Sequence, residues 1–125
     1  MEIVAALFVE GINFRQVEGP STRIDITGAF FSFRPAEYPA YLDPHLVILL
    51  RCPPGGSPDA SLDVVFLRDG MQIGSNRQVF SIEPGKFGYR LVKGDVTFDS
   101  PGTIEARCTV PESGSSVTVP LTALP

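Results

Sequence analysis

Along most of this chain, apolar residues recur at every second position, and no stretch shows the 3.6-residue spacing of an amphipathic helix. In the segment 22–27, Ile24 and Ile26 alternate with charged and polar residues, and the segment 103–110 repeats this pattern. Successive side chains of a β-strand point to opposite faces of its sheet, so the alternation is typical of half-buried strands. The pattern predicts an all-β fold.

One predicted strand differs from the others. The segment 45–50 is apolar on both alternating sets of positions, which predicts a central strand covered on both faces. Asp69-Gly70 lies between predicted strands 61–68 and 71–73 and is typical of a hairpin turn with positive φ at both central residues. Further strands are predicted at 3–9, 78–82, 87–92, 96–98 and 117–121.

Turn residues follow one another roughly every 8 to 12 positions, a spacing that favours antiparallel sandwiches or barrels. We therefore expect a single antiparallel β-sandwich of about eight strands, immunoglobulin-like in the broad sense. A chain of 125 residues has the size of one domain, so residues 1–125 are predicted to form it. Pro120 cannot donate a ladder hydrogen bond, which predicts that the last strand lies at an edge.

The charge balance excludes some partners. The chain has 10 Lys and Arg against 14 Asp and Glu, a formal net charge of -4, and its basic residues are scattered singly. Proteins that bind nucleic acids or anionic membranes usually carry a basic stripe, so neither partner is expected. Without an apolar run of about 20 residues or the basic segment of a secretory signal, the chain is expected in the cytoplasm.

The two cysteines, Cys52 and Cys108, are predicted to be free thiols. Their separation would suit the inter-sheet disulfide of an immunoglobulin domain, but the chain has no Trp to pack against that bridge. Both cysteines lie on the apolar side of their alternating segments, which indicates small buried side chains. A disulfide is the alternative interpretation.

Residues suited to catalysis or metal binding are few. His45 is the only histidine, and no nucleophile motif, zinc spacing or phosphate-binding loop is present. Aspartates near turns could serve calcium, but no Asp-x-Asp-x-Asp-Gly loop occurs. We therefore predict no enzymatic activity, no metal and no cofactor, with a hydrolase centred on His45 as an alternative.

Five of the 12 aromatic residues fall within the proline-containing segment 30–41. Rigid aromatic side chains lose little entropy on docking, so the segment is interpreted as a protein-binding surface. The predicted contact residues are Phe30, Phe33, Tyr38 and Tyr41. The alternative is that the phenylalanines are ordinary core residues and the loop closes one end of the fold.

Several segments together resemble a group of short bacterial all-β proteins of unknown function. These segments are 5–11, 24–30, 46–50, Asp69-Gly70 and 101–107. The resemblance spans roughly residues 3 to 110. It implies an immunoglobulin-like or C2-like sandwich and a cytoplasmic bacterial accessory protein, and it implies no catalytic residue.

The function predicted from these observations is a non-enzymatic protein-interaction or assembly module that binds a protein partner or self-associates through an edge strand. Its contacts are expected from the segment 30–41, with the last strand as a second candidate surface. A second hypothesis is a small-ligand or carbohydrate-binding β-sandwich that uses Tyr38, Tyr41 and nearby loop carboxylates.

Overall fold

The computed structural model describes residues 1–19 and 21–125, which form eleven β-strands and no helix. The strands are β1 (Glu2–Val17), β2 (Ser21–Ala29), β3 (Ser32–Phe33), β4 (Ala40–Leu42), β5 (His45–Arg51), β6 (Asp59–Arg68), β7 (Met71–Ser81), β8 (Phe87–Lys93), β9 (Val96–Phe98), β10 (Gly102–Val110) and β11 (Ser115–Ala123). The predicted all-β class is confirmed. The structure has eleven strands in three sheets, where about eight strands in one sandwich were expected.

The three sheets differ in size. One has four strands in the order β2-β1-β5-β8, and another has five in the order β3-β11-β10-β6-β7. The third pairs only β4 with β9. All the strand pairs are antiparallel except β3 and β11, whose parallel pairing covers two residues of β11. The last strand therefore lies next to the edge, with the short β3 outside its end.

The hairpin predicted between β6 and β7 is confirmed. Asp69 has a φ of 51° and Gly70 a φ of 78°, as the expected turn requires at both central positions. The following strand is longer than predicted, because segments 71–73 and 78–82 belong largely to one strand, β7. The middle of β7 is polar, so apolar alternation does not mark it. It is a strand because its backbone pairs with β6.

Side chains from both large sheets join in one hydrophobic core. Its largest fully buried members are Phe8, Leu46, Ile48, Leu50, Leu62, Phe98, Ile104 and Leu121. Cys52 and Cys108 are part of this core and are free, which confirms the predicted buried thiols. Burial raises the pKa of the Cys108 thiol to about 11, so this thiol stays protonated at neutral pH.

β5 is buried on both faces. Leu46 and Ile48 point into the core, while Val47 points to the opposite face and is still only 1% exposed. Val9 of β1 is also fully buried without belonging to the core between the large sheets. The prediction of a central strand covered on both faces is therefore confirmed.

The β1–β2 hairpin covers this second face. Beyond Val9, β1 leaves β5 and continues paired with β2 alone. The ring of Phe14 then lies 5.8 Å from that of Tyr89 on β8, although β5 separates β1 from β8 within the sheet. The hairpin therefore turns back across β5. At this bend Gly28 has a φ of 65°, and Glu10 occupies the space where a Cβ would lie.

Candidate functional site

Three of the four predicted contact residues pack against the core. The ring of Phe33 meets that of Phe98 edge to face, with 5.3 Å between centroids. The hydroxyl of Tyr38 donates a hydrogen bond to the carbonyl oxygen of Leu124 at 2.6 Å, and Phe30 is half-buried against the core. These contacts favour the alternative in which the segment closes one end of the fold, although Phe31 is 65% exposed.

Tyr41 is the fourth predicted residue, and it is 65% exposed. It lies on β4 opposite Thr97 of β9, and its hydroxyl donates a hydrogen bond to the Asp95 carboxylate. This hydrogen bond is the largest of the effects that raise the pKa of Tyr41 to about 12. Ionisation would remove the donated proton and leave a phenolate facing the negative charge of Asp95. Close by, the Lys93 ammonium pairs with Asp43 at 3.2 Å.

The Tyr41–Asp95 contact predicts an unusual titration. We expect one of the three tyrosines to ionise near pH 12 in an ultraviolet titration, and a Tyr41→Phe variant to lack that step. Asp95→Asn should return the pKa towards 10.0, because the amide carries no charge. Since folding raises this pKa, the contact stabilises the fold below pH 10 and its contribution is lost as the pH rises through about 12. Identical titrations of the wild type and Asp95→Asn would show that the contact is absent.

His45 does not form a catalytic pair with either cysteine. It opens β5 on the face opposite to the core, whereas Cys52 and Cys108 lie within the core. The thiol of Cys52 donates instead to the carbonyl oxygen of Ser57 at 3.4 Å. The His45 Nδ1 is buried and has no hydrogen-bond partner within the described residues. Over residues 1–19 and 21–125, no three His, Cys, Asp or Glu side chains are grouped to hold a metal ion.

A surface that the sequence did not predict lies where the free edges of the two large sheets meet. β8 is the last strand of the four-stranded sheet and β7 the last of the five-stranded sheet. We call this surface the β7–β8 side. Its exposed apolar residues include Phe14 at 52%, Val79 at 79% and Phe87 at 69% exposed.

Two adjoining clefts run along the β7–β8 side. The larger has a volume of about 430 Å³ and is lined by Ile24, Phe87 and Tyr89, among others. The smaller, of about 270 Å³, shares Tyr89 with it and includes Phe14. The clefts also share Arg90, so they form one groove lined by both polar and apolar groups, with a single cationic side chain.

Side-chain hydrogen bonds join the edges of β7 and β8 inside this groove. Arg90 Nε donates to Gln78 Oε1 at 2.8 Å, and Gln78 Nε2 donates to the carbonyl oxygen of Leu91 at 2.8 Å. The guanidinium of Arg90 also lies 5.8 Å from the centre of the Phe80 ring. Gln78 therefore links β7 to β8 without backbone pairing between them.

Hydrogen bonds also join the two large sheets at the start of β11. There the backbone N–H of Ile3 donates to Ser115 Oγ at 2.9 Å, which joins the start of β1 to β11. Ser113 Oγ donates to the carbonyl oxygen of Met1 at 2.5 Å. β2 and the part of β11 before Thr122 also have free edges, but these two hydrogen bonds tie the start of β11 to β1.

β7 itself is a long edge strand with a β-bulge at Ile73. It has 11 residues, no proline and one charged residue, Arg77, which pairs with Asp63 at 3.6 Å. Exposed edge strands offer unpaired N–H and C=O groups, and native proteins usually block them with lysine, proline, bulges or short strands. Of these, β7 has only the bulge, and the stretch 74–81 beyond it is regular. Because segments 71–73 and 78–82 are predicted as separate strands, the sequence does not indicate one long edge strand.

The chain matches no protein-family model, and a search of curated proteins finds no match either. The resemblance to short bacterial all-β proteins therefore stays a prediction. Among the described residues, none lies in a helix that could cross a bilayer.

Proposed function

We propose that this chain is a non-enzymatic assembly module, built as an immunoglobulin-like β-sandwich, that associates with a second copy of itself through the edge of β7. The observation that carries the proposal is the long edge of β7, which has neither proline nor lysine, beside the groove of the β7–β8 side. Pairing of edge strands satisfies backbone groups in both copies and extends the sheet.

The sequence of β7 suits pairing with its own image. When two identical antiparallel strands are related by a two-fold axis, residues directly opposite each other point to the same face of the sheet. The axis must therefore lie between the two copies of one residue. Asn76 is the middle residue of Met71–Ser81, and an axis there pairs the regular stretch 74–78 of one copy with that of the other, up to the bulge at Ile73. Val79 then lies opposite Ile73 of the second copy.

Charge also favours this register. With the axis at Asn76, Arg77 lies opposite Ser75 of the second copy, and no like charges meet. An axis one residue further, at Arg77, would place two guanidinium groups opposite each other, which is destabilising. The apolar side chains exposed at Val79 and Ile73, at 79% and 48%, would be covered in the first arrangement.

Disulfide trapping tests this register directly. Opposite residues of an antiparallel pair have Cα atoms about 4.5–5.5 Å apart, within the range that a disulfide spans. We therefore expect Asn76→Cys to form a covalent dimer under mild oxidation, seen on a non-reducing gel. Cys52 and Cys108 are buried and should not react in the folded chain. Ser116→Cys, an exposed position on β11, is the control and should cross-link slowly.

Sedimentation tests the same interface without a cross-link. We expect the wild type to form a dimer and Val79→Lys to weaken it about tenfold or more, because a charge replaces an apolar cross-strand contact. Val4→Lys is the matched control, since Val4 is 51% exposed outside the β7–β8 side. A wild type that stays monomeric, or equal cross-linking of Asn76→Cys and Ser116→Cys, would contradict the proposal.

A further inference from the structure

A cleft separate from the groove of the β7–β8 side lies between β9 and the turn end of the β6–β7 hairpin. Its volume is about 380 Å³, within the range of about 300–1,000 Å³ that small-molecule sites occupy. The side chains that concern ligand binding are Arg68, Ile73, Asp95, Thr97, Asp99 and Ser100. They combine one cation and two carboxylates with hydroxyl groups and one apolar side chain.

Arg68 is held in place by neutral groups. Its Nη2 donates to the carbonyl oxygen and the hydroxyl of Ser100 at 2.9 and 3.0 Å, and to the carbonyl oxygen of Pro101 at 3.1 Å. The guanidinium also lies 5.5 Å from the centre of the Phe98 ring. Within the described part of the chain, no carboxylate forms an ion pair with Arg68. Its position is thus fixed while its charge is not neutralised by an acidic side chain.

The two carboxylates of the cleft are likewise without a cationic partner across residues 1–19 and 21–125. Asp95 accepts a hydrogen bond from the neutral Tyr41 hydroxyl, which orients the carboxylate without removing its charge. Lys93, the ammonium group nearby, pairs with Asp43 instead. Asp99 lines the same cleft and is exposed.

We infer that this cleft binds a small zwitterion, a molecule of the size of an amino acid or dipeptide with one carboxylate and one ammonium group. Arg68 would bind the carboxylate, because a guanidinium presents several N–H donors that match carboxylate geometry. Asp99 would bind the ammonium group, and Ile73 would contact an apolar side chain. A simple anion would face two carboxylates and a simple cation would face Arg68, so neither complements the cleft as well. The inference concerns the single copy, because pairing of β7 would cover Ile73.

Binding can be measured with glycyl-leucine as the probe. In a heteronuclear NMR titration, we expect the amide signals of Thr97 and Ser100 to move with the zwitterion. N-acetylglycyl-leucine lacks the ammonium group and glycyl-leucine amide lacks the carboxylate, so each should bind about tenfold more weakly or worse. Running the titration also in Val79→Lys separates this site from any association through β7.

Two variants test which side chain of the cleft binds each charged group of the ligand. Asp99→Asn keeps the shape of the side chain and the contacts of Arg68, so we expect glycyl-leucine binding to fall about tenfold with the fold intact. Arg68→Gln should weaken the zwitterion and its amine-blocked form alike, and its folding is checked by thermal unfolding because Arg68 also holds the turn. Arg107→Gln, an exposed arginine on β10, is the control.

Three results would overturn the inference. The first is the absence of any shift at Thr97 and Ser100 with glycyl-leucine. The second is equal binding of the zwitterion and both blocked peptides, since the charges would then play no part. The third is a neutral sugar, tested as methyl glucoside, that moves the same signals when glycyl-leucine does not.

Discussion

Val47→Asp should destabilise the fold by more than about 3 kcal/mol, because the new carboxylate would be buried without a partner. Val47 points away from the core between the two large sheets, where a strand of an ordinary two-layer fold would meet water. It is nevertheless only 1% exposed, since the β1–β2 hairpin crosses this face. A charge there would either lose its hydration or force the hairpin away from β5.

Urea unfolding measures this effect. Where Val47→Asp is too unstable to purify, Val47→Ala should still lose about 2 kcal/mol, from roughly two buried methyl groups. Val4→Asp is the matched control at a half-exposed valine, and its change should stay within about 0.5 kcal/mol. If the Asp variants at Val47 and Val4 unfold at the same urea concentration, the hairpin does not cover β5.

Phe98→Ala should cost about 3–5 kcal/mol, the usual loss for a large aromatic side chain removed from a core. Phe98 is fully buried on β9, packs edge to face against Phe33 and lies beneath the Arg68 guanidinium. One ring therefore connects the small β4–β9 sheet to β3 and β6. Its loss would leave a cavity where these elements meet.

Phe31→Ala is the control for that substitution. Phe31 belongs to the same aromatic segment as Phe33 but is 65% exposed, so its removal should change the free energy of unfolding by no more than about 0.5 kcal/mol. Chemical unfolding followed by circular dichroism compares the two variants. A loss for Phe98→Ala as small as that for Phe31→Ala would show that the small sheet is not anchored by this ring.

Local pattern accounts for most of the strands. Alternation predicted segments 103–110 and 117–121, which the structure places in β10 and β11. The apolar run at 45–50 predicted a strand buried on both faces, because a strand exposed to water on one face would carry polar residues there. Asp69-Gly70 predicted its turn since few residue pairs tolerate two positive φ angles.

The strands that were missed have no local signal. β3 and β4 contain two and three residues and lie among prolines, and their partners are β11 and β9, far along the chain. Strands so short form only because a distant strand offers backbone groups to pair with. The polar middle of β7 is a strand for the same reason, since it pairs with β6.

The aromatic segment 30–41 was also predicted only in part from the sequence. Its composition marked it as unusual, but composition does not say which rings are covered. Tyr38 is held by the carbonyl oxygen of Leu124, while Tyr41 is exposed and bound to Asp95. Both contacts join residues more than 50 positions apart in the chain, so neither could be read from neighbouring residues.

The amino-acid sequence alone thus determined that this chain forms strands, where most of them run, and that its cysteines lie buried on their apolar sides. These properties depend on which way neighbouring side chains point. Only the tertiary structure decided that the β1–β2 hairpin covers β5, that β7 keeps a free edge and that Arg68 shares a cleft with Asp95 and Asp99. Each of these depends on contacts between distant segments, whose geometry is set by how the sheets pack together rather than by local alternation.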